Sequence, residues 1–195
     1  YSGQLNSVPG KGKNASLTLN LLQDQDYVAL FWAHVYGYGD KFYDITDLRK
    51  VVVTYTLEDS KLAPANDEDR AAFCQCHTFS THKKVNSEKV NLVRPFAQIN
   101  FGAKDYSEVT ALGLTMDSQV EIEGLPYVLN VLDRTATGST NAAFYATAVP
   151  AASGETLEVN GDKDTYSYVS MNYVLAPQTK GMLPTLTGIF HYNKA

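Results

Sequence analysis

Residues 92–102 read Leu-Val-Arg-Pro-Phe-Ala-Gln-Ile-Asn-Phe-Gly, and this stretch says most about the fold of the chain. Apolar and polar side chains alternate along it, as they do in a half-buried β-strand. The alternation predicts a side that faces the core and a side that faces away, formed respectively by Val93, Ala97, Ile99 and Phe101 and by Arg94, Phe96, Gln98 and Asn100. Pro95 has no N–H to donate to a neighbouring strand, so we expect this strand at a sheet edge or with a bulge at the proline.

Strand patterns continue on both sides of this stretch. Residues 17–21 alternate between apolar and polar, as in a half-buried strand, and residues 51–57 are rich in β-branched side chains. Residues 27–36 are apolar on both faces, which predicts a strand covered on both sides. Further strands are predicted at residues 119–122, 142–148, 156–159, 166–175 and 185–192. About eight strands separated by turn residues predict an all-β, antiparallel β-sandwich formed by a single domain over residues 1–195.

Two short helices are predicted in the connections between strands. Asn66 is a suitable N-cap for the first, and the acids at positions 67–69 suit the positive end of a helix dipole. For the second, Asp105-Tyr-Ser-Glu108 has the form of a capping box and Gly113 suits the C′ position. Both helices are too short to form a layer of their own.

The composition fits a globular β-protein and argues against nucleic-acid binding. Of the 195 residues, 44% are hydrophobic and 19% charged, and the chain contains 13 Tyr and 8 Phe. The net charge is -5, and the four arginines are scattered at positions 49, 70, 94 and 134. Neutralising phosphates requires clustered Lys and Arg, so nucleic acid is not expected as a partner.

The titratable residues form no pattern that predicts catalysis or metal binding. Cys74-Gln-Cys76-His77, with His82 nearby, lacks the usual Cys-x-x-Cys spacing of zinc sites, and a disulfide between cysteines two apart in a strand is geometrically unfavourable. Gly-x-Ser-x-Gly and phosphate-binding loops do not occur. Glu121 and Glu123 share one face of a predicted strand, where a solvated face is a commoner arrangement than a glycosidase pair. The sequence therefore predicts a protein that is not an enzyme and binds no cofactor or metal.

Three further segments stand out beside residues 92–102. They are Phe31-Trp-Ala33, Asn66-Asp-Glu-Asp-Arg-Ala-Ala-Phe73 and Tyr168-Val-Ser-Met-Asn-Tyr-Val-Leu-Ala-Pro177. Together the four resemble, in order, motifs of the fimbrillin-like surface proteins of Bacteroidetes, and residues 92–102 resemble the signature strand of that family. The resemblance implies a transthyretin-like, Greek-key β-sandwich. It also implies the N-terminal domain of a longer protein, exported as a lipoprotein precursor to the outer membrane and cell surface.

The resemblance also implies a function. Members of this family are pilus (fimbrial) subunits or adhesins, and assembly follows protease removal of an N-terminal strand, commonly after an arginine. The vacated groove then accepts a strand from the next subunit, which is β-augmentation. The first arginine here is Arg49, so we expect the processing site, the lipid anchor to the membrane and a second domain to lie outside these residues.

Two functions are consistent with this resemblance. The first is a non-enzymatic cell-adhesion or pilus subunit whose partners are other subunits, joined by strand exchange. The alternative is a surface lipoprotein that binds glycans or a host protein without polymerising. A groove bordered by apolar side chains favours the first function, and a shallow aromatic patch favours the second.

The candidate interaction residues are Arg94, Phe96, Gln98, Tyr36, Tyr38 and Tyr43. Arg94 has two interpretations: a clamp for a partner's carboxylate or carbonyl groups, or an intramolecular partner for a nearby acid or backbone carbonyl. The tyrosines, with Phe42, offer ring faces on which a sugar can stack, although tyrosine in β-proteins commonly packs at a sheet margin. The sequence leaves both alternatives open.

Overall fold

The structure of the protein, a computed structural model, describes residues 14–35, 37, 39–56, 62–83, 87–146, 156–159, 162–176 and 185–194. The chain divides into two compact units. The smaller unit comprises Tyr1–Val28 and Thr78–Lys89, and the larger unit comprises Ala29–His77 and Val90–Ala195. The single domain over residues 1–195 stays a prediction.

The fold is all-β, as predicted, and sandwich-like, with many strands and very little helix. The strands are β1 (Asp26–His34), β2 (Tyr43–Asp44), β3 (Val51–Val53), β4 (Leu62–Pro64), β5 (Ala72–Ser80), β6 (Phe96–Ala103), β7 (Leu114–Leu125), β8 (Val128–Asn130), β9 (Thr135–Thr137), β10 (Thr140–Ala146), β11 (Thr156–Val159), β12 (Asp162–Thr165), β13 (Ser167–Leu175) and β14 (Leu186–Lys194). The helical segments are α1 (Gly39–Phe42), a 3-10 helix (Glu68–Arg70) and α2 (Tyr106–Ala111).

The described strands form several sheets, most of whose pairings are antiparallel. One four-stranded sheet has the order β2-β3-β8-β9 and another the order β14-β7-β10-β4, in which β4 pairs with β10 in parallel. Strands β6 and β13 pair with each other, as do β1 with β5 and β11 with β12. The boundary between the two units falls within β1 and β5.

The core of the larger unit is built mainly from β3, β7, β8 and β10. Along β7, Val120 and Ile122 are fully buried while Glu121 and Glu123 are exposed, so the two glutamates form the solvated face that the sequence predicts. Phe144 of β10 is also fully buried. Alternation of this kind positions the strands because a shift of one residue would move the whole apolar set into water.

Most predicted strands are confirmed. Residues 27–36, 51–57, 119–122, 142–148, 156–159, 166–175 and 185–192 correspond respectively to β1, β3, β7, β10, β11, β13 and β14. The predicted strand at residues 17–21 is wrong, because the structure has no strand there and its leucines are exposed. The expectation that β1 is covered on both sides fails at Val28, which is 58% exposed.

The signature stretch forms a strand, β6, that starts immediately after Pro95. The assignment of its two faces was partly wrong: Phe96 packs against the core, whereas Ala97 is exposed and Val93 is 40% exposed. The proline is the physical reason. It separates Val93, which pairs with Cys74 in an isolated bridge, from the ladder between β6 and β13, so the alternation does not continue through it.

The helix caps differ partly from prediction. Asp67, and not Asn66, is the N-cap of the 3-10 helix, and its side chain accepts a hydrogen bond from the Asp69 N–H. At α2 the N-cap Asp105 makes no side-chain capping bond, so the predicted capping box is wrong. Gly113 has φ +73° just beyond the C-cap, where the left-handed conformation favours glycine, and this prediction is confirmed.

Candidate functional site

Tyr43 connects three of the four motif segments in the larger unit. Its ring lies 5.2 Å from the Trp32 ring, at an angle of 67°, and 5.6 Å from the Phe96 ring, measured between centroids. Its hydroxyl donates a hydrogen bond to the carbonyl oxygen of Arg70. Since Tyr43 is only 3% exposed, it is a core residue and offers no face to a sugar.

Asn66 connects the fourth motif segment to the others. Its backbone N–H donates to the Met171 carbonyl at 2.8 Å, and its side-chain oxygen accepts from the Met171 N–H at 2.7 Å. This second bond uses the left-handed backbone of Asn66, whose φ is +60°. Asparagine tolerates that conformation better than most residues, so it suits this position.

Arg70 is a buried cation that sequence reasoning did not single out. It is 2% exposed, and its guanidinium group donates to the backbone carbonyls of Thr54, at 3.0 Å, and Tyr55. The same group lies over the Phe42 ring, 4.2 Å from its centroid, and its Nε is 3.9 Å from a carboxylate oxygen of Asp67. Burial lowers the pKa of Arg70. Because its hydrogen bonds go to main-chain carbonyls of the same unit, the role of this arginine is to join core elements.

The buried tyrosines Tyr43 and Tyr55 are held in their neutral form. Burial raises the pKa of Tyr55 to about 12, and it also raises the pKa of Tyr43. The Tyr55 hydroxyl donates to the Pro126 carbonyl at 2.7 Å and accepts from the Leu175 N–H at 3.0 Å. These shifts oppose ionisation near neutral pH, so the hydroxyls act as hydrogen-bonding groups of the core.

The other candidate interaction residues lie in different environments. Tyr36 and Tyr38 lie outside the described residues. The Gln98 amide donates to the Tyr173 hydroxyl at 3.1 Å, across the β6–β13 pair. The structure therefore brings Phe96 and Tyr43 together in the core, and it engages Gln98 within its own sheet.

Arg94 is exposed and lines a small cavity of the larger unit. The cavity has a volume of about 40 Å³ and is lined by Cys74, Val93, Arg94, Pro95, Leu129, Arg134 and Ala176. Arg134, which the sequence did not mark, is half-buried and donates a hydrogen bond to the side-chain oxygen of Gln75. Two arginines from distant parts of the chain thus border one space.

The smaller unit contains a local cluster around Tyr27. Its ring stacks on Phe79 at a centroid distance of 5.5 Å, and its hydroxyl oxygen accepts from the Leu22 N–H at 3.0 Å. Thr81 closes the segment by accepting from the Gln25 N–H at 2.9 Å and donating to the Leu22 carbonyl at 2.8 Å. Residues 26–28 and 78–80, which include the two rings, line an open groove.

Cys74 and Cys76 are free thiols, and burial raises the pKa of Cys74. Among the described residues, no group of three or more His, Cys, Asp or Glu side chains is arranged to hold a metal ion. None of the helices in that part of the chain has the length and apolar character of a membrane span.

Residues 3–190 match the model of a protein family described as a family of unknown function, DUF6562. The chain belongs to this family. No curated protein and no solved structure matches the chain significantly. The likeness to fimbrillin-like proteins and the transthyretin-like strand order therefore stay predictions.

Proposed function

We propose that this protein is a non-enzymatic, exported subunit of an adhesive or fimbrial assembly on the cell surface, in which copies join by pairing of extended β-segments. One observation carries the proposal: a segment with a strand pattern, residues 17–22, leaves its leucines exposed. The four motif segments support the same class of function, because they resemble segments of subunits that assemble by strand donation.

The segment at residues 17–22 has the sequence of a half-buried strand but lies outside every strand of the structure. Four leucines within six residues are exposed, to 44%, 37%, 40% and 75% for Leu17, Leu19, Leu21 and Leu22. Single exposed apolar residues are ordinary, whereas a contiguous set favours an interaction surface. A second copy that supplied a strand edge would cover these leucines and pair their backbone.

Strand β14 supplies such an edge. It is nine residues long, lies at one end of the sheet order β14-β7-β10-β4, and is exposed at Thr187, Gly188 and Ile189. An edge strand presents unpaired N–H and C=O groups, which a strand from another chain can satisfy. Because the donated segment and the accepting edge are different surfaces, repeated pairing builds an open-ended fibre wherever the rotation between copies does not close a ring.

The test is self-association of the complete gene product, before and after digestion with an arginine-specific protease. We expect light scattering after size-exclusion chromatography to show a series of wild-type oligomers in at least one of the two samples. We expect the double variant Leu19→Ser/Leu21→Ser to remain monomeric in both. The matched control is Leu112→Ser/Leu132→Ser, which removes two leucines that are exposed to 75% and 45% in the larger unit. This control should assemble like the wild type.

A second variant tests backbone pairing separately from apolar contact. Thr18→Pro removes one backbone N–H donor and leaves all four leucines in place, so it should block assembly if the segment pairs as a strand. Wild-type protein that stays monomeric under both conditions would contradict the proposal, and binding screens with glycans and host proteins would then test the alternative. Surface biotinylation of intact cells tests the exported location.

A further inference from the structure

The backbone around Arg94 is fixed on both sides. Val93 and Cys74 exchange two hydrogen bonds, with N–O distances of 2.8 and 3.1 Å, and the Pro95 carbonyl accepts from the Ala176 N–H at 3.0 Å. The guanidinium carbon of Arg94 lies 5.2 Å from the centroid of the Phe73 ring. The main chain on each side and the ring beside it therefore restrict where this side chain can lie.

Arg134 is fixed by the turn between β8 and β9. Its backbone is left-handed, with φ +59°. The adjacent Asp133 uses its carboxylate to accept from the Thr135 N–H, at 3.0 Å, and from the Thr135 hydroxyl, at 2.7 Å. Gln75 of β5 accepts a hydrogen bond from the Arg134 guanidinium group. The nearest acid in sequence is thus engaged within the turn, and the arginine is directed towards β5.

The charges around the cavity are unbalanced. Its lining contains two arginines and no acid. Within the described residues, the ion pairs of Arg49 and Arg70 are with Asp47 and Asp67, whereas neither lining arginine has a carboxylate within salt-bridge distance. Two like charges beside one space repel each other, and an anion between them relieves that repulsion. The apolar side of the lining, with Leu129 2% exposed, strengthens such an interaction by excluding water.

The size of the cavity limits the anion. Its volume is about 40 Å³. A single water molecule needs roughly 10–15 Å³ of such space, so there is room for about three heavy atoms, the number in a carboxylate head group. A planar carboxylate also matches the planar hydrogen-bonding edge of a guanidinium group, whereas a tetrahedral phosphate is larger.

We propose that Arg94 and Arg134 together bind one carboxylate group in this cavity. The carboxylate belongs either to a free carboxylic acid or to an acidic side chain of a partner protein. Leu129 and Pro95 form apolar walls, and the lining arginines donate the hydrogen bonds. The site does not depend on strand pairing through residues 17–22, so either proposal can fail while the other stands.

The experiment is a titration of the complete, ¹⁵N-labelled chain with sodium acetate at constant ionic strength, with chloride as the balancing anion. The observable is the Nε–Hε resonance of each arginine side chain, assigned from the variants Arg94→Gln and Arg134→Gln. We expect saturable shifts of the Arg94 and Arg134 resonances and none at Arg49. Each Gln variant should weaken acetate binding about tenfold, the loss typical of one charge-assisted hydrogen bond.

Arg49→Gln is the matched control, because it removes the same charge from an arginine that is 68% exposed and paired with Asp47. It should bind acetate like the wild type. Arg134→Lys, which keeps the charge but not the planar edge, should lie between Arg134→Gln and the wild type. A dispersed NMR spectrum would show that the Arg134→Lys variant is folded. Weakened acetate binding by this folded variant supports the site, because misfolding then does not explain the loss.

The source of the carboxylate is tested by repeating the titration with the blocked peptide acetyl-Ala-Glu-Ala-amide and its Gln counterpart. Binding of the Glu peptide without binding of the Gln peptide supports the site and assigns a protein side chain as its ligand. Binding of acetate without the Glu peptide supports the site and assigns a free acid. Three results would each overturn the proposal. They are resonance shifts that do not saturate, equal acetate affinity of the wild type, Arg94→Gln and Arg134→Gln, and an acetate affinity no greater than the chloride affinity.

Discussion

Replacing Tyr55 with phenylalanine removes one oxygen atom from the core of the larger unit. That hydroxyl bridges two distant segments, because it donates to the Pro126 carbonyl at 2.7 Å and accepts from the Leu175 N–H at 3.0 Å. Tyr55 is 4% exposed, so water cannot readily replace it. A lost hydrogen bond costs about 1 kcal/mol, and a buried group left without a partner costs about 1–3 kcal/mol. We expect Tyr55→Phe to lower the free energy of unfolding by about 2–4 kcal/mol.

The same substitution changes the response to alkaline pH. Burial raises the pKa of Tyr55 from 10.0 to about 12 in the folded protein. A folded-state pKa above the unfolded value means that this stabilisation is fully present below pH 10 and is lost as the pH rises through about 12. A shift of this size corresponds to about 2–3 kcal/mol. The stability gap between wild type and Tyr55→Phe should therefore narrow over that range, while Tyr43 titrates in both proteins.

The measurement is urea denaturation followed by the fluorescence of Trp32, the only tryptophan, at a series of pH values. Trp32 packs on Tyr43 in the same core and so reports its unfolding. Tyr127→Phe is the control, since Tyr127 is 36% exposed and the change should stay within about 0.5 kcal/mol. A loss of no more than about 0.5 kcal/mol for Tyr55→Phe would refute the reasoning. So would a stability difference between wild type and Tyr55→Phe that stays constant above pH 10.

Three further substitutions are tested by the same denaturation experiment. Arg70→Lys should cost about 1–3 kcal/mol, because an ammonium group cannot reproduce the planar contacts to two carbonyls; an unchanged stability would contradict the structural role. Asn66→Ala should cost about 1–3 kcal/mol, since it loses the bond to the Met171 N–H in a left-handed conformation, and Asn66→Gly should cost less because only the bond is lost. Gly138→Ala places a Cβ 2.4 Å from the Tyr127 ring at φ +81°, so it should cost about 1–2 kcal/mol, part of it recovered in a Tyr127→Ala background.

Prediction of the fold from sequence worked where one physical signal dominated. In β7 the alternation of Val120 and Ile122 with exposed glutamates identified a strand, because burial on one face leaves a period of two. Residues 17–21 carry the same period without forming a strand. The pattern reports that the segment suits one-sided burial, and it contains no information about which chain supplies the partner. Strand β5 is absent from the sequence predictions, because its centre, Cys-Gln-Cys-His, contains no β-branched or large apolar residue.

Prediction of the site was weaker, because a site depends on contacts between residues far apart in the chain. Arg94 is a candidate from the sequence because it is a cation in the signature stretch, but nothing in the local sequence indicates that Arg134 borders the same cavity. Tyr43 was predicted as an exposed ring from its position in an aromatic run. It is buried because the rings of Trp32 and Phe96 pack against it, and neither residue is adjacent to it in the sequence.

The residues that carry the resemblance and the residues that carry the proposed functions overlap only in part. Asn66, Arg70 and Phe96 belong to motifs and make core contacts. A chain that shares these residues is therefore expected to share the fold, but a shared ligand does not follow from them. The exposed leucines of residues 17–22 lie outside all four motifs, and so does Arg134, whereas Arg94 of the same cavity lies within residues 92–102. If assembly or carboxylate binding varies among proteins that fold in this way, the variation should occur at residues 17–22 and at Arg134, while the motif residues that pack in the core stay constrained.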